Sequence, residues 1–172
     1  MRAMHDQVKM LRTTILPAVG FQLMRQVGLE SDDLMAYAAQ QLNIIPLEKQ
    51  AVIITADGDL YQCISTAVHW YDPGRDLYMQ PRDLFLKKGV WPHQWGLLKC
   101  LMGCHTDEVK GIPGVGETTA MKFISGMLPV HHKRAIAINS PEGKAIIERN
   151  KALVVLPHAK VKPFELVCPK YD

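Results

Sequence analysis

The sequence predicts an α/β protein, with a partial parallel-sheet core over residues 1–90 followed by a helical region over residues 91–172. Three observations carry that prediction. The run Ala51-Val52-Ile53-Ile54-Thr55 is dominated by β-branched apolar residues and stops just short of Asp57 and Asp59, as a strand buried in a parallel sheet does. Apolar residues ahead of it recur at helical spacing. Behind it, the glycine-rich corner Gly111-Ile112-Pro113-Gly114-Val115-Gly116 separates two helical stretches. At 172 residues and 48% apolar content the chain has the size of one domain and can bury a core of its own.

Met4, Val8, Leu11, Ile15, Val19, Leu23 and Met24 form one apolar stripe, which predicts a helix over residues 1–27, broken or kinked at Pro17. Gly28-Leu29 ends it. Glu30-Ser31-Asp32-Asp33 then opens a second helix, with Leu34, Met35, Tyr37, Ala38 and Leu42 on its apolar side and Ser31 or Asp32 as the cap. Three carboxylates in four positions are more than a cap needs, because like charges this close repel unless a cation sits among them. A connector at residues 46–50 leads into the strand. Asp57-Gly58-Asp59 falls at the strand's carboxyl end, where open α/β sheets carry functional side chains, although the same three residues also read as a turn.

A short helix follows at residues 60–64, then a hairpin of strands 67–71 and 76–79 around Asp72-Pro73-Gly74-Arg75. Residues 83–88 predict a brief helix, Gly89-Val90-Trp91-Pro92 a turn, and residues 93–102 a helix that turns Trp95, Leu97, Leu98 and Leu101 inward. Further helices are predicted at 118–127, 133–139 and 141–153. Val154-Val155-Leu156 reads as extended, ahead of a tail with Pro157, Pro163 and Pro169. No linker separates the two parts, so they are read as packing into one body.

The net charge of +3 permits a nucleic-acid partner without requiring one. Its distribution says more. Lys87, Lys88, Lys99, Lys110, Lys122, Lys133, Arg134, Lys144, Arg149 and Lys151 gather in the later half, whereas Glu30, Asp32, Asp33, Asp57 and Asp59 form an acidic knot. That pattern fits a metal-dependent enzyme acting on a polyanion, or simply two solvated faces. In the corner, three glycines in six positions let backbone N–H groups approach an anion, and Pro113 stiffens the turn. Thr118 and Thr119 lead on into a helix, whose N-terminus favours phosphate; an ordinary helix-turn-helix corner is the other reading. The Gly-Lys-Ser/Thr of a nucleotide-binding loop is absent. Cys63, Cys100, Cys104 and Cys168 read as reduced thiols, and Cys100, Cys104 and His105 lack the second pair that a structural zinc site needs. The sequence shows neither a secretory apolar region nor a membrane-length window, which predicts a soluble, cytoplasmic protein without a membrane partner.

Taken in order, Gly28-Leu29-Glu30-Ser31-Asp32-Asp33, Thr55-Ala56-Asp57-Gly58-Asp59-Leu60-Tyr61-Gln62, and Gly103-Cys104-His105-Thr106-Asp107 with the corner resemble the 5′-nuclease or flap endonuclease family. That family includes phage 5′-exonucleases and the 5′-nuclease domain of bacterial DNA polymerase I. The resemblance extends over about residues 15–156 and implies a PIN-like core followed by a helix-three-turn-helix, a form of the helix-hairpin-helix DNA-binding element. In the family such carboxylates hold two divalent ions, Mg²⁺ or Mn²⁺, over the scissile phosphate. Carried over, the resemblance implies Glu30 and Asp32 as first-site ligands, Asp33 as a nearby or water-bridged one, and Asp57, Asp59 and Asp107 as the second site. Glu30, Asp32, Asp57 and Asp59 are the implied catalytic set. Lys110, Gly111, Gly114, Val115, Gly116, Thr118 and Lys122 are the implied contacts to duplex phosphates, with a K⁺ on the turn carbonyls.

Two departures shape the expectation. Cys104 stands where the family carries an acid, and a soft thiol there weakens the second site or shifts its metal preference. Family members also begin with an apolar strand bearing an Asp, a second Asp and a basic helical arch, and this chain starts downstream of that region. The resemblance therefore implies the C-terminal half of a split 5′-3′ exonuclease or flap endonuclease. It would have an open sheet edge and need a second chain that supplies the remaining acids and the arch, its substrate being duplex DNA with a 5′ end or flap. Alternatives are a non-catalytic duplex DNA-binding accessory protein of replication or recombination, and a structural α/β protein with fortuitous acids.

Overall fold

The structure is a computed structural model in which residues 2–43 and 51–166 are described. The connector at residues 46–50, Cys168 and Pro169 lie outside the described residues. Helix α1 (Arg2–Met10) continues through a π-helical turn, Leu11–Ile15, into the short α2 (Leu16–Ala18). Pro17 sits in the first turn of α2, where a missing N–H is tolerated. The helix ends at Ala18 rather than reaching Val27: Gly20, at φ 89°, turns the chain out, and residues 21–26 have no regular structure. The predicted stripe is present, but it faces solvent, with Met4, Val8, Leu11, Ile15, Val19, Leu23 and Met24 all exposed. The side-chain amide of Gln26 brackets Lys162, accepting from its N–H at 2.8 Å and donating to its carbonyl at 2.7 Å, so this segment lies along the tail.

Gly28, at φ 80°, precedes α3 (Ser31–Leu42). The cap is Glu30 rather than Ser31 or Asp32, and the Asp33 carboxylate accepts back from the Glu30 N–H at 3.4 Å. Strand β1 (Ala51–Ile54) pairs in parallel with β2 (Val68–Asp72), and β2 pairs antiparallel with β3 (Leu77–Met79), giving the order β1-β2-β3. Both strands of the predicted hairpin are therefore present, and the sheet is small and mixed.

The apolar run of β1 predicts cover on both faces, and the structure differs. Ile53 faces the core, but Val52 and Ile54 are 46% and 66% exposed. The N–H groups of Ala51 and Thr55 donate to Ala67 and Tyr71 carbonyls at 2.8 and 2.9 Å. In a parallel ladder the alternate residues, Val52 and Ile54, therefore direct their backbone groups to the edge that is open among the described residues. A 3₁₀ helix, Gly58–Cys63, replaces the short helix predicted at 60–64.

Helix α4 (Pro81–Lys88) closes on Gly89, left-handed at φ 69°. Helix α5 (Pro92–Met102) buries Trp95, Leu98 and Leu101 as predicted, whereas Leu97 is exposed. Gly96 and Cys100 take that side of the packing: a Cβ on Gly96 would lie 3.2 Å from Val155 Cγ2, and the Cys100 carbonyl accepts from Asn150. Two-residue strands β4 (Gly103–Cys104) and β5 (Val109–Lys110) pair antiparallel and were not visible in the sequence. Then come α6 (Glu117–Ile124), ended early by Ser125 and by Gly126 at φ 72°, α7 (Lys133–Asn139), and α8 (Pro141–Val154). Val154 thus belongs to α8 rather than to an extended segment. One apolar cluster runs from Ala36 through Trp70, Leu84, Trp95 and Leu101 to Ala120 and Ile138, so the sheet and the helices share a core.

Candidate metal centre and nucleic-acid surface

The fold brings every acidic residue singled out above to one place. Glu30, Asp32, Asp33, Asp57, Asp59 and Asp107 line a single cleft of about 370 Å³, closed on another side by Val154, Leu156 and His158. Three elements deliver the six acids. The N-terminus of α3 carries Glu30, Asp32 and Asp33; the carboxyl end of β1 carries Asp57 and Asp59; the loop between β4 and β5 carries Asp107.

Asp57 is held on three sides. Its N–H donates to Thr55 Oγ1 at 3.1 Å, its carbonyl accepts from the Trp70 indole at 3.0 Å, and its carboxylate accepts from the Asp59 N–H at 2.8 Å. The last bond caps the 3₁₀ helix, so Asp57-Gly58-Asp59 is a turn, and that turn presents both side chains to the cleft. Asp33 is buried, and its second oxygen accepts from the His158 N–H at 2.8 Å, which ties α3 to the chain after α8. Its carboxylate is thus largely committed to the scaffold. Burial pushes the Asp32 carboxyl above its ordinary 3.8, and the charges of Asp33 and Glu30 add to that against a backbone hydrogen bond from Asp33.

Lys99, of α5, enters this acidic group and was not singled out as a site residue from the sequence. Its ammonium is ion-paired with Asp59 and lies 3.8 Å from the Cys104 sulfur. Burial pulls its pKa down, but the hydrogen bond and charge of Asp59, with the charges of Cys104 and Asp57, leave it raised overall. Cys104 is 5% exposed, and its Sγ lies 2.9 Å from Asp107 Oδ2 and 3.0 Å from Thr106 Oγ1. Ligand atoms of Asp59, Cys104 and Asp107 all fall within 4.8 Å of one another. Carboxylate oxygens converging on one cleft are the donors that a hard divalent cation takes, whereas the thiol among them is not. Cys63 and Cys100 are also free thiols, pushed up by burial to about 12 and about 11 respectively.

In the glycine-rich corner the residues divide by role. Gly103 and Gly111 are packing positions: a Cβ on Gly103, at φ 81°, would lie 2.4 Å from the Gly111 nitrogen, and one on Gly111 2.2 Å from the Met102 carbonyl carbon. Gly114 turns the chain at φ 73° beneath the Arg134 guanidinium, which donates to the Pro113 carbonyl at 3.2 Å. Val115 is buried, and its N–H is used within the turn on Ile112 at 2.9 Å. Lys110, Gly116, Thr118 and Lys122 are exposed, and a Cβ on Gly116 would meet nothing within 4 Å. Gly116 caps α6, whose first N–H groups point outward there.

Two polar residues that sequence reading passed over fasten these parts together. Asn150 is fully buried in α8 and donates to the carbonyls of Cys100 and Lys110 at 2.9 and 3.0 Å. Its own oxygen accepts from Arg149, which reaches on to the Lys110 carbonyl. The Gln62 amide donates to Asp59 and Val154 carbonyls at 2.9 and 3.1 Å and accepts from the Leu156 N–H at 3.0 Å.

The family model described as 5′-3′ exonuclease, N-terminal resolvase-like domain, matches residues 2–89, just over half of the chain. DNA polymerase I of Thermus thermophilus is 34% identical over 110 residues, covering 64% of this chain and 13% of the polymerase. DNA polymerase I of Rhizobium leguminosarum is 33% identical over 125 residues, covering 72% and 12%. Among solved structures, T5 5′-exonuclease with divalent zinc ions bound superimposes with a TM-score of 0.72 at 24% identity, over 91% of this chain and 61% of that one. A complex of T5 flap endonuclease with DNA and metal ions gives 0.71 at 23% identity over 91% and 61%. These superpositions establish the mixed α/β fold. The chain spans about an eighth of the polymerases and about three fifths of the T5 protein. Among the described residues no helix is long and apolar enough to cross a membrane.

Proposed function

The chain belongs to the 5′-3′ exonuclease family, and from that premise we propose that it takes part in divalent-metal-dependent hydrolysis of DNA phosphodiester bonds, as a 5′-3′ exonuclease or flap endonuclease. The observation that carries the proposal is the single cleft that collects Glu30, Asp32, Asp33, Asp57, Asp59 and Asp107. Glu30, Asp32, Asp57, Asp59 and Asp107 would hold Mg²⁺ or Mn²⁺, and Asp33 would fix the N-terminus of α3 behind them. Bound ions supply an activated water and stabilise the leaving oxygen of an in-line displacement. The residues of the chain position that chemistry. Asp57 is locked by three hydrogen bonds, Lys99 balances part of the negative charge, and Asp107 links the cleft to the corner.

In this reading residues 91–172 grip duplex DNA through the corner, as a helix-three-turn-helix. Exposed Lys110 and Lys122, Thr118 and the open N-terminus of α6 at Gly116 would face phosphates, with a K⁺ on the turn carbonyls. Residues 1–90 carry the catalytic core. The remaining acids and the arch would come from a second chain that adds to the open edge of β1 and covers the exposed stripe of α1; the edge and the stripe support that part. Replication of DNA in a cytoplasm, a host's if the protein is a phage's, is the setting that fits.

The test is a 5′-labelled branched or nicked duplex incubated with Mg²⁺ or Mn²⁺, with and without a chain co-purified from the native source. Cleavage should rise by orders of magnitude on reconstitution, because positioning and electrostatics supply most of the rate in phosphoryl transfer, and Asp57→Ala should abolish it. Cleavage that survives Asp57→Ala places the chemistry elsewhere. One observation favours a second reading, a duplex-binding accessory without catalysis: the Lys99 ammonium already neutralises Asp59 beside a thiol. Salt-sensitive duplex binding with no cleavage in the reconstituted complex would select that reading.

A further inference from the structure

We infer that Cys104 makes the Asp59, Cys104 and Asp107 position selective for borderline, thiophilic divalent cations such as Zn²⁺ and Co²⁺ over Mg²⁺. The inference rests on the metal reading proposed above and concerns which ion this chain takes. Its ground is the placement of the thiol. The Cys104 backbone is fixed by pairing of β4 with β5, opposite Val109, and Gly103 and Gly111 allow the two strands to meet without side chains between them. The sulfur is therefore held behind Asp107, one of the cleft acids, 2.9 Å from one of its oxygens.

Tetrahedral zinc with sulfur and oxygen ligands sets its donors about 3.5 Å apart. The donor atoms here already lie within 4.8 Å of one another, close to that spacing once an ion displaces the Lys99 ammonium from Asp59. Lys99 holds the same donors in the metal-free protein and would have to yield them to an ion. The Lys99 ammonium sits with Asp59 and 3.8 Å from the sulfur, so two of the three donors already share one positive charge.

Ligand chemistry then decides the ion. Mg²⁺ demands octahedral oxygen ligands and gives up its water reluctantly, so a thiol in the donor set removes one ligand without offering another. Zn²⁺ and Co²⁺ accept a thiolate together with two carboxylates and keep a fourth position for water. On binding, the Cys104 proton passes to solvent and a metal–sulfur bond replaces the S–H bond. Cys63 and Cys100 are buried and lie outside this cluster.

The experiment is titration of the full chain with Co²⁺, followed by near-ultraviolet absorption, beside calorimetric titrations with Zn²⁺ and Mg²⁺. Wild type, Cys104→Ser and Cys104→Asp are compared, with circular dichroism to confirm that each is folded. Wild type should show a sulfur-to-cobalt charge-transfer band and bind Zn²⁺ at least a hundredfold more tightly than Mg²⁺. Cys104→Ser should lose the band and at least tenfold of Zn²⁺ affinity. Cys104→Asp should lose the band and gain at least tenfold in Mg²⁺ affinity. If Mg²⁺ binds wild type, no band develops and Cys104→Ser leaves Zn²⁺ affinity unchanged, the thiol is no ligand and this inference fails while the metal reading stands. If no dication binds to wild type or to Cys104→Asp, the metal reading fails as well.

Discussion

Replacing Lys99 with Met tests whether its ammonium occupies a cation's place. The substitution keeps the length of the side chain and removes only the charge and its donors. The side chains of Lys99 and Asp59 are 14% and 25% exposed, so solvent screens the pair in part. Removing one partner from a fully buried pair costs about 3–5 kcal/mol. Discounted for that exposure, loss of Lys99 should cost the metal-free protein about 1–3 kcal/mol. A divalent ion restores the missing positive charge, so the same free energy returns as affinity, a gain of about 5- to 150-fold. The assay pairs urea unfolding without metal against calorimetric titration with Mn²⁺ or Zn²⁺. Lys99→Met should unfold at lower urea when metal-free, recover most of that loss when loaded, and bind metal more tightly. Cleavage by a reconstituted complex should fall nonetheless if the ammonium also faces the phosphate. Metal affinity that is unchanged or lower in the variant would refute competition between Lys99 and the ion.

Three further outcomes follow from the geometry. Gly116→Ala should weaken duplex binding several-fold while costing at most about 1 kcal/mol at the α6 cap, because its Cβ would meet nothing in the protein yet would stand where a phosphate is proposed to approach; filter binding at two salt concentrations checks it. Gly114→Val is the poorer probe, since a residue at φ 73° beneath the Arg134 guanidinium destabilises the corner directly. Asp32→Asn should stabilise the metal-free protein at neutral pH. A carboxyl whose pKa is raised on folding begins to cost stability as pH rises past its ordinary 3.8 and costs it in full above the folded pKa, so the gain in urea midpoint should shrink as pH falls below the folded pKa and vanish below 3.8. Asn150→Ala should cost about 2–5 kcal/mol in urea unfolding, from a cavity and two buried carbonyls left without this donor.

What the sequence made legible was local chemistry. Gly28 before a run of acids and a β-branched run before two Asp residues each announce an element edge within a few residues, and the structure has an edge at each. The cleft acids were readable because two of their three carriers are such edges. Lys99 was not, since its partner Asp59 lies forty positions away and only the packing of α5 on the 3₁₀ helix brings them together. Asn150 bonds to carbonyls fifty and forty residues distant. A signal existed all the same, because Asn150 falls three and four positions after Ile147 and Ile146, on the stripe that packs inward. A polar residue there marks a buried hydrogen bond. Helix α1 shows the opposite error, in which apolar spacing continued past Gly20 while the backbone did not, and in which the stripe faced solvent instead of the core.

The metal cleft and the corner are two ends of one short piece of chain, and that is why the Asn150 variant bears on function as well as stability. Cys104 and Asp107 lie at one end and Lys110 and Gly116 at the other, with β4 and β5 zipped between them by two glycines too close to accept a Cβ. Asn150 grips the carbonyl of Cys100 on one side of that zipper and of Lys110 on the other, and Arg149 adds a second bond to Lys110. A phosphate bound at the corner, as proposed, would thereby be held at a fixed offset from the carboxylates, which is the positional control that in-line displacement needs. Releasing both carbonyls should loosen the offset from its two ends at once. Metal affinity and duplex affinity should therefore fall together in Asn150→Ala at urea concentrations where the variant is still folded; a fall in either one alone would show that the two ends move independently.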